Sequence, residues 1–167
     1  VLLALGSDID SSTKITITDN NYTLANLLKI ITDSSTVYPV VLQKTAAAVA
    51  IEGAATQLKD MLAGVDKYTG ALKATGGSIS AADLNTIDLK TSVNVNASAI
   101  ENITSSAIAD VKALITNATT AGIDTNWNVV VSDTVSAADA KIVNAATSGT
   151  IDISASTTLN GTTADVL

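Results

Sequence analysis

Ser136 to Asp165 reads SAADAKIVNAATSGTIDISASTTLNGTTAD, and a related pattern stands about 56 residues upstream. From Ser80 to Asp110 the chain reads SAADLNTIDLKTSVNVNASAIENITSSAIAD. The two stretches match without a gap at Ser80 and Ser136, Ala81 and Ala137, Ala82 and Ala138, and Asp83 and Asp139. The register continues through Thr91 and Thr147, Ser92 and Ser148, Val95 and Ile151, Ser98 and Ser154, and Ile103 and Leu159. One deleted residue then brings Ala109 and Asp110 onto Ala164 and Asp165. A fainter echo lies about 114 residues apart, pairing Ile15 and Ile17 with Val129 and Val131. Self-similarity at a fixed spacing is the signature of repeat architecture. Two steps of about 56 residues imply roughly three degenerate units, at 1–43, 44–105 and 106–161, with a further one starting at 162–167.

Local signals give each unit its elements. Ser80 and Ser136 are placed as N-caps, with Asp83 and Asp139 putting negative charge on the positive end of the helix. The helices they start run over Ser80–Leu89 and Ser136–Ala145, and strands follow at Val93–Ala97 and Thr150–Ser154. A further helix over Ser106–Asn117 takes Ser106 as its cap and buries Ile108, Val111 and Ile115. Thr23 caps a short helix over Thr23–Thr32. Ile15 and Ile17 alternate with polar neighbours as a half-buried strand does. Thr36–Leu42 reads as a strand whose Pro39 suits an edge. Lys44–Ala63 reads as one alanine-rich helix bent at Gly53, with Ile51, Ala55, Leu58 and Leu62 as its buried stripe. Gly64–Gly77 reads as a remodelled loop or a lost strand. Val1–Leu5 reads as a helix end stopped by Gly6, and Thr162–Leu167 as a helix start with Thr162 three residues before Asp165.

Alternation of strand and helix favours parallel strands with helical crossovers. In tandem this predicts an α/β solenoid, one continuous sheet beside a ribbon of helices. A compact α/β domain with a mixed sheet is the alternative.

Composition narrows the function. Hydrophobic residues make up 47% of the 167, which is too many for a disordered polymer. Aromatic residues are only 2%, so the core is built of Ala, Val, Ile and Leu, which suits thin repeated layers. The net charge is −7, and all nine basic residues are lysines. Nucleic-acid backbones and anionic membranes select basic surfaces, so neither is an expected partner. No apolar run is long enough to span a bilayer. Histidine and cysteine are absent, which closes Ser-His-Asp and Cys-His catalysis and imidazole or thiolate zinc sites. Carboxylate chemistry stays open, but Asp88, Glu101 and Asp152 fall in no motif, and Gly76–Gly77 lacks the rest of a phosphate loop. The expectation is a chain with no catalytic, cofactor-binding or resident metal site.

The one stretch that approaches a metal motif is DIDSSTKITITD, Asp8 to Asp19. Asp8, Asp10, Ser12 and Asp19 fall at positions one, three, five and twelve of an EF-hand-like loop. Thr13 stands where the loop needs glycine, and a strand follows in place of a helix, so the turn-before-a-strand reading is preferred over calcium. Trp127, the only tryptophan, is expected in the core, and Tyr22, Tyr38 and Tyr68 are expected to pack with wet hydroxyls. Asn-X-Ser/Thr triplets begin at Asn21, Asn96, Asn102, Asn117 and Asn160, as chance allows in a chain rich in Asn and Thr.

The stretch SDTVSAADAKIVNAATSGTIDISASTTLNGTTADV resembles the Thr, Ser, Ala and Asp-rich repeats of very large surface or secreted proteins of marine bacteria and cyanobacteria, and of structural proteins of their phages. The resemblance implies a non-enzymatic structural segment outside the cell, in a surface layer, filament, motility or adhesin scaffold. It also implies self-association through neighbouring repeats. The alternative is a calcium-dependent adhesin or phage fibre segment that binds surface glycans, on a cell or a virion.

Overall fold

The computed structural model describes residues 15–17, 21–34, 40–42, 49–63, 65, 67–117 and 122–166. Its elements run β1 (Ile15–Ile17), α1 (Leu24–Ser34), β2 (Val40–Leu42), β3 (Ile51–Ala54), α2 (Ala55–Ala63), β4 (Leu72–Thr75), β5 (Gly77–Ser80) and α3 (Ala81–Leu89). Then follow β6 (Val95–Asn96), β7 (Ile100–Ser106), α4 (Ile108–Thr116), β8 (Asn128–Val131), α5 (Ala137–Ala146), β9 (Ile151–Asp152) and α6 (Thr163–Val166). The class is α/β, and every strand ladder among the described residues is parallel.

The strands form a pair β1-β2, a three-stranded sheet β3-β4-β6 and a four-stranded sheet β5-β7-β8-β9. Within each, neighbours are displaced along the chain by a similar length. Ile15 lies beside Val40, Ile51 beside Leu72, Leu72 beside Val95, Ile79 beside Ile103, Ile103 beside Val129 and Val129 beside Ile151. Parallel strands cannot be joined by a tight turn, so a helix or long connection fills each of these intervals.

The register stacks like on like. Ile51, Leu72 and Val95 make one buried row, and Ile79, Ile103 and Val129 make another. The fourth residue of each helix from α1 to α5 faces the same core: Leu27, Leu58, Leu84 and Val111 are buried, and Ala140 is partly so. Each buried Leu, Ile or Val contributes roughly 1.5–3 kcal/mol. Together they form one continuous apolar cluster from Tyr22 to Val143. Trp127 belongs to it at 2% exposure, as its core reading predicts. Tyr68 is fully buried and its hydroxyl bonds that of Tyr22, so that hydroxyl is not wet. Tyr38 lies outside the described residues.

Several elements follow their sequence signals. Ser80 and Ser136 accept from the amides of Asp83 and Asp139, both at 3.1 Å, and Thr23 accepts from Asn26 at 3.2 Å. Thr162 and Asp165 form a reciprocal pair at the start of α6, where the Thr162 amide donates to Asp165 Oδ2 at 3.0 Å. The strands after α3 and α5 are present but only two residues long.

Three regions differ. Lys44–Ala63 is not one helix: Ile51–Ala54 is a strand, and the helix starts at Ala55. Pairing of Ile51 with Leu72 overrides the helix preference of the alanines, and Gly53 fits because a Cβ there would lie 2.1 Å from Leu24 Cδ2. The predicted stripe is nevertheless buried in full, with Ile51 entering from the strand. Gly64–Gly77 has not lost its strand. Leu72–Thr75 is the central strand of its sheet, and Gly76 and Gly77, at φ +102° and +72°, turn the chain sharply into β5. Between Ser98 and Ser106, where no strand was expected, lies β7, the seven-residue strand that joins β5 to β8. The Val1–Leu5 helix end and Pro39 fall outside the described residues.

The 56-residue step therefore carries α3 onto α5 and skips α4, so one step of the sequence pattern holds two strand–helix units.

Candidate functional site

Among the described residues, side-chain hydrogen bonds recur where one strand–helix unit meets the next. Three sets of contacts recur there.

The first set joins helices. The fifth residue of α2 is Lys59, which binds Asp83, the third residue of α3, at 2.9 Å. The fifth residue of α4, Lys112, binds Asp139, the third of α5, at 2.6 Å. Lys141 on α5 donates to the carbonyl of Ala164 at 2.9 Å, beside Asp165 on α6. At the α3–α4 junction Asn85 takes the lysine's place and donates to the Asp110 carbonyl at 3.0 Å. Its own carboxamide oxygen is buried with no partner among the described residues. These contacts shift titration: the hydrogen bond that Lys59 donates to Asp83 raises Lys59, and those that Lys112 and then Ser136 donate to Asp139 hold it below the usual carboxylate range. Asp165 is lowered by Thr162, and Asp152 by the Ser154 hydroxyl and amide.

The second set closes helix N-termini from the following unit. Orphan N–H groups at a helix start need acceptors. Ala81, first in α3, donates to Ser106 Oγ at 2.9 Å, and Ile108, first in α4, donates to Asp133 Oδ1 at 2.8 Å. Ala137, first in α5, donates to the Asn160 carbonyl at 2.8 Å. This corrects the expected role of Ser106. It ends β7 and serves α3, while α4 has Ala107 at its N-cap with no side-chain bond.

The third set crosses the outer face of the four-stranded sheet. Asn102 Nδ2 donates to the Gly77 carbonyl at 3.4 Å, and Asn128 Nδ2 to Asn102 Oδ1 at 3.1 Å. Thr150 N then donates to Asn128 Oδ1 at 2.8 Å. A row of amides thus satisfies itself across β5, β7 and β8, as stacked parallel strands permit.

The grooves between units are shallow. One of about 430 Å³ is lined by Lys67, Asp88, Leu89, Ser92, Asn94 and Asn117. Another of about 310 Å³ lies between Leu114, Ile115, Ile123, Thr125, Trp127 and Ala146. Asp88 sits in the last turn of α3, Glu101 on β7 and Asp152 on β9, and these carboxylates are not brought together. Among the described residues no three His, Cys, Asp or Glu side chains gather where they could hold a metal ion. Asp8, Asp10, Ser12 and Asp19 lie outside the described residues. No helix among the described residues is long and apolar enough to cross a membrane.

Sequence reasoning found the capping Ser and Asp residues but missed the lysine partners and the asparagine row. The signal was present at half the step: AADLN, IADVK and AADAK begin α3, α4 and α5, and TADV begins α6. No family model, no curated protein and no solved structure matches this chain.

Proposed function

We propose that this chain is a structural segment, an α/β solenoid whose work is to hold its own units and those of its neighbours in line. The observation that carries the reading is the repeated use of one junction: Lys59 to Asp83, Lys112 to Asp139, and Lys141 to the Ala164 carbonyl beside Asp165. Its polar chemistry is spent on neighbouring units, and the absence of histidine and cysteine leaves little for nucleophilic or acid–base catalysis at neutral pH. The resemblance to bacterial and phage surface repeats supports a place outside the cell, in a surface layer, filament or adhesin scaffold, with self-association as its main partnership.

Native-state hydrogen exchange tests the architecture. A stack held by nearest-neighbour contacts opens unit by unit, so amides of β9 and α6 exchange without opening the Leu72–Val95 ladder. If every protected amide exchanges at one common free energy, the fold is a compact cooperative domain and the solenoid reading falls. Sedimentation over a concentration series tests the scaffold role, with association expected and a monomer at every concentration opposing it. A thermal melt run in millimolar calcium and in chelator decides the adhesin alternative. A calcium-raised midpoint means that the folded form binds the ion.

A further inference from the structure

We propose that Asn160–Gly161 is a site of spontaneous succinimide formation, and that its conversion to isoaspartate uncouples the last helices. Asn160 is the only asparagine in the chain followed by glycine. Both residues are exposed and lie in irregular backbone between β9 and α6. Gly161 carries no side chain to shield its amide nitrogen. Among the described residues no acceptor takes the Gly161 N–H, and no partner holds the Asn160 carboxamide. Other asparagines are restrained: Asn96 Oδ1 accepts from Ser98, and Asn102 and Asn128 are locked in their row. Each of these three also precedes a residue with a side chain.

The chemistry needs only water. The Gly161 nitrogen loses its proton and attacks Cγ of Asn160, forming an N–Cγ bond. The Cγ–Nδ2 bond breaks, and ammonia leaves with the proton. Water then opens the five-membered imide. Attack at Cγ restores the ordinary backbone with a carboxylate side chain. Attack at the α-carbonyl routes the backbone through Cβ and lengthens it by one carbon, giving isoaspartate.

The second product is the damaging one here. The Asn160 carbonyl accepts from Ala137 N at 2.8 Å and closes the start of α5. Gly161 is packed so close that a Cβ would lie 2.4 Å from that of Ala137 and 3.3 Å from that of Asp165. An inserted methylene shifts both contacts, and either product adds a negative charge near Asp165.

The full chain, held at 37 °C in mildly alkaline buffer and in the same buffer with urea, is followed by peptide mass mapping and isoaspartyl methyltransferase labelling. Amide exchange is then compared between fresh and aged protein. The expected result is conversion centred on Asn160, with Asn94, Asn126 and Asn144 keeping their amides and Ala137 exchanging several-fold faster after ageing. The variant Asn160→Ser keeps the backbone carbonyl but forms no imide, and its Ala137 exchange stays constant. An Asn160 that survives in buffer while the urea sample converts overturns the site. Isoaspartate at 160 with unchanged exchange at Ala137 overturns the uncoupling.

Discussion

Ser106→Ala removes one buried hydroxyl and tests whether units close one another. Ser106 is 4% exposed; it accepts from Ala81 N at 2.9 Å and donates to the Thr104 carbonyl at 2.7 Å. Without it the first amide of α3 is buried with no acceptor. Loss of a side-chain cap costs about 0.5–2 kcal/mol, and a buried unsatisfied donor about 1–3 kcal/mol. The two ranges describe one bond, so the expected loss is about 1–2 kcal/mol. With a urea slope near 2 kcal/mol/M, the unfolding midpoint falls by about 0.5–1 M at constant slope. Amide exchange locates the damage: Ala81 accelerates, while Ile108, which relies on Asp133, does not. Ser80→Ala weakens the same helix start through Asp83, and the two changes are expected to be non-additive. A midpoint shift below about 0.2 M, or faster exchange at Ile108 with Ala81 unchanged, would refute the reasoning and return Ser106 to α4.

Acid destabilises the fold through Asp139. Its carboxyl is held below the ordinary value, so the stabilisation is complete above the unfolded value of about 3.9 and disappears as pH falls through the folded one. Asp139→Asn flattens that dependence in acid titrations followed by circular dichroism, and costs about 0.5–1 kcal/mol at neutral pH because Lys112 is partly screened by solvent. Burial, then Tyr68, raises the Tyr22 phenol, so Tyr68→Phe is expected to let Tyr22 titrate at lower pH in ultraviolet difference spectra and to cost about 1–2 kcal/mol. A Cβ at Gly149 would stand 2.2 Å from the carbonyl oxygen of Trp127 and 2.9 Å from that of Asn126. Gly149→Ala should therefore cost about 1–3 kcal/mol in urea titration, with red-shifted tryptophan emission.

The sequence made helix starts easy to find and short strands hard. Thr23, Ser80, Ser136 and Thr162 each stand three residues before a position whose amide or carboxylate they meet, and that local geometry needs no knowledge of the rest of the chain. Strands of four residues, such as Ile51–Ala54 and Leu72–Thr75, are too brief for alternation to declare itself. In β7 the buried positions are Ile100, Ile103 and Ser106, spaced by three, because the pairing with β5 and β8 shifts register along it. Neighbouring units also hid from ungapped comparison. Ser80 to Ser106 spans one residue less than Asp83 to Asp110, so alignment leapt from α3 to α5. Lys59 and Asp83 sit 24 residues apart, and nothing local links them. Contacts of that kind become readable only once the register of the strands is known.

The downstream placing of the helix caps gives the molecule a direction in time. Ala81 waits for Ser106 and Ile108 for Asp133, each 25 residues further along. A ribosome delivers the N-terminal side first, so the starts of α3 and α4 leave the exit tunnel before the groups that close them do. While α3 or α4 is the newest helix on a growing chain its start is unfinished, and the arriving segment completes it. Closure of these helix starts therefore trails their emergence by about one strand–helix interval.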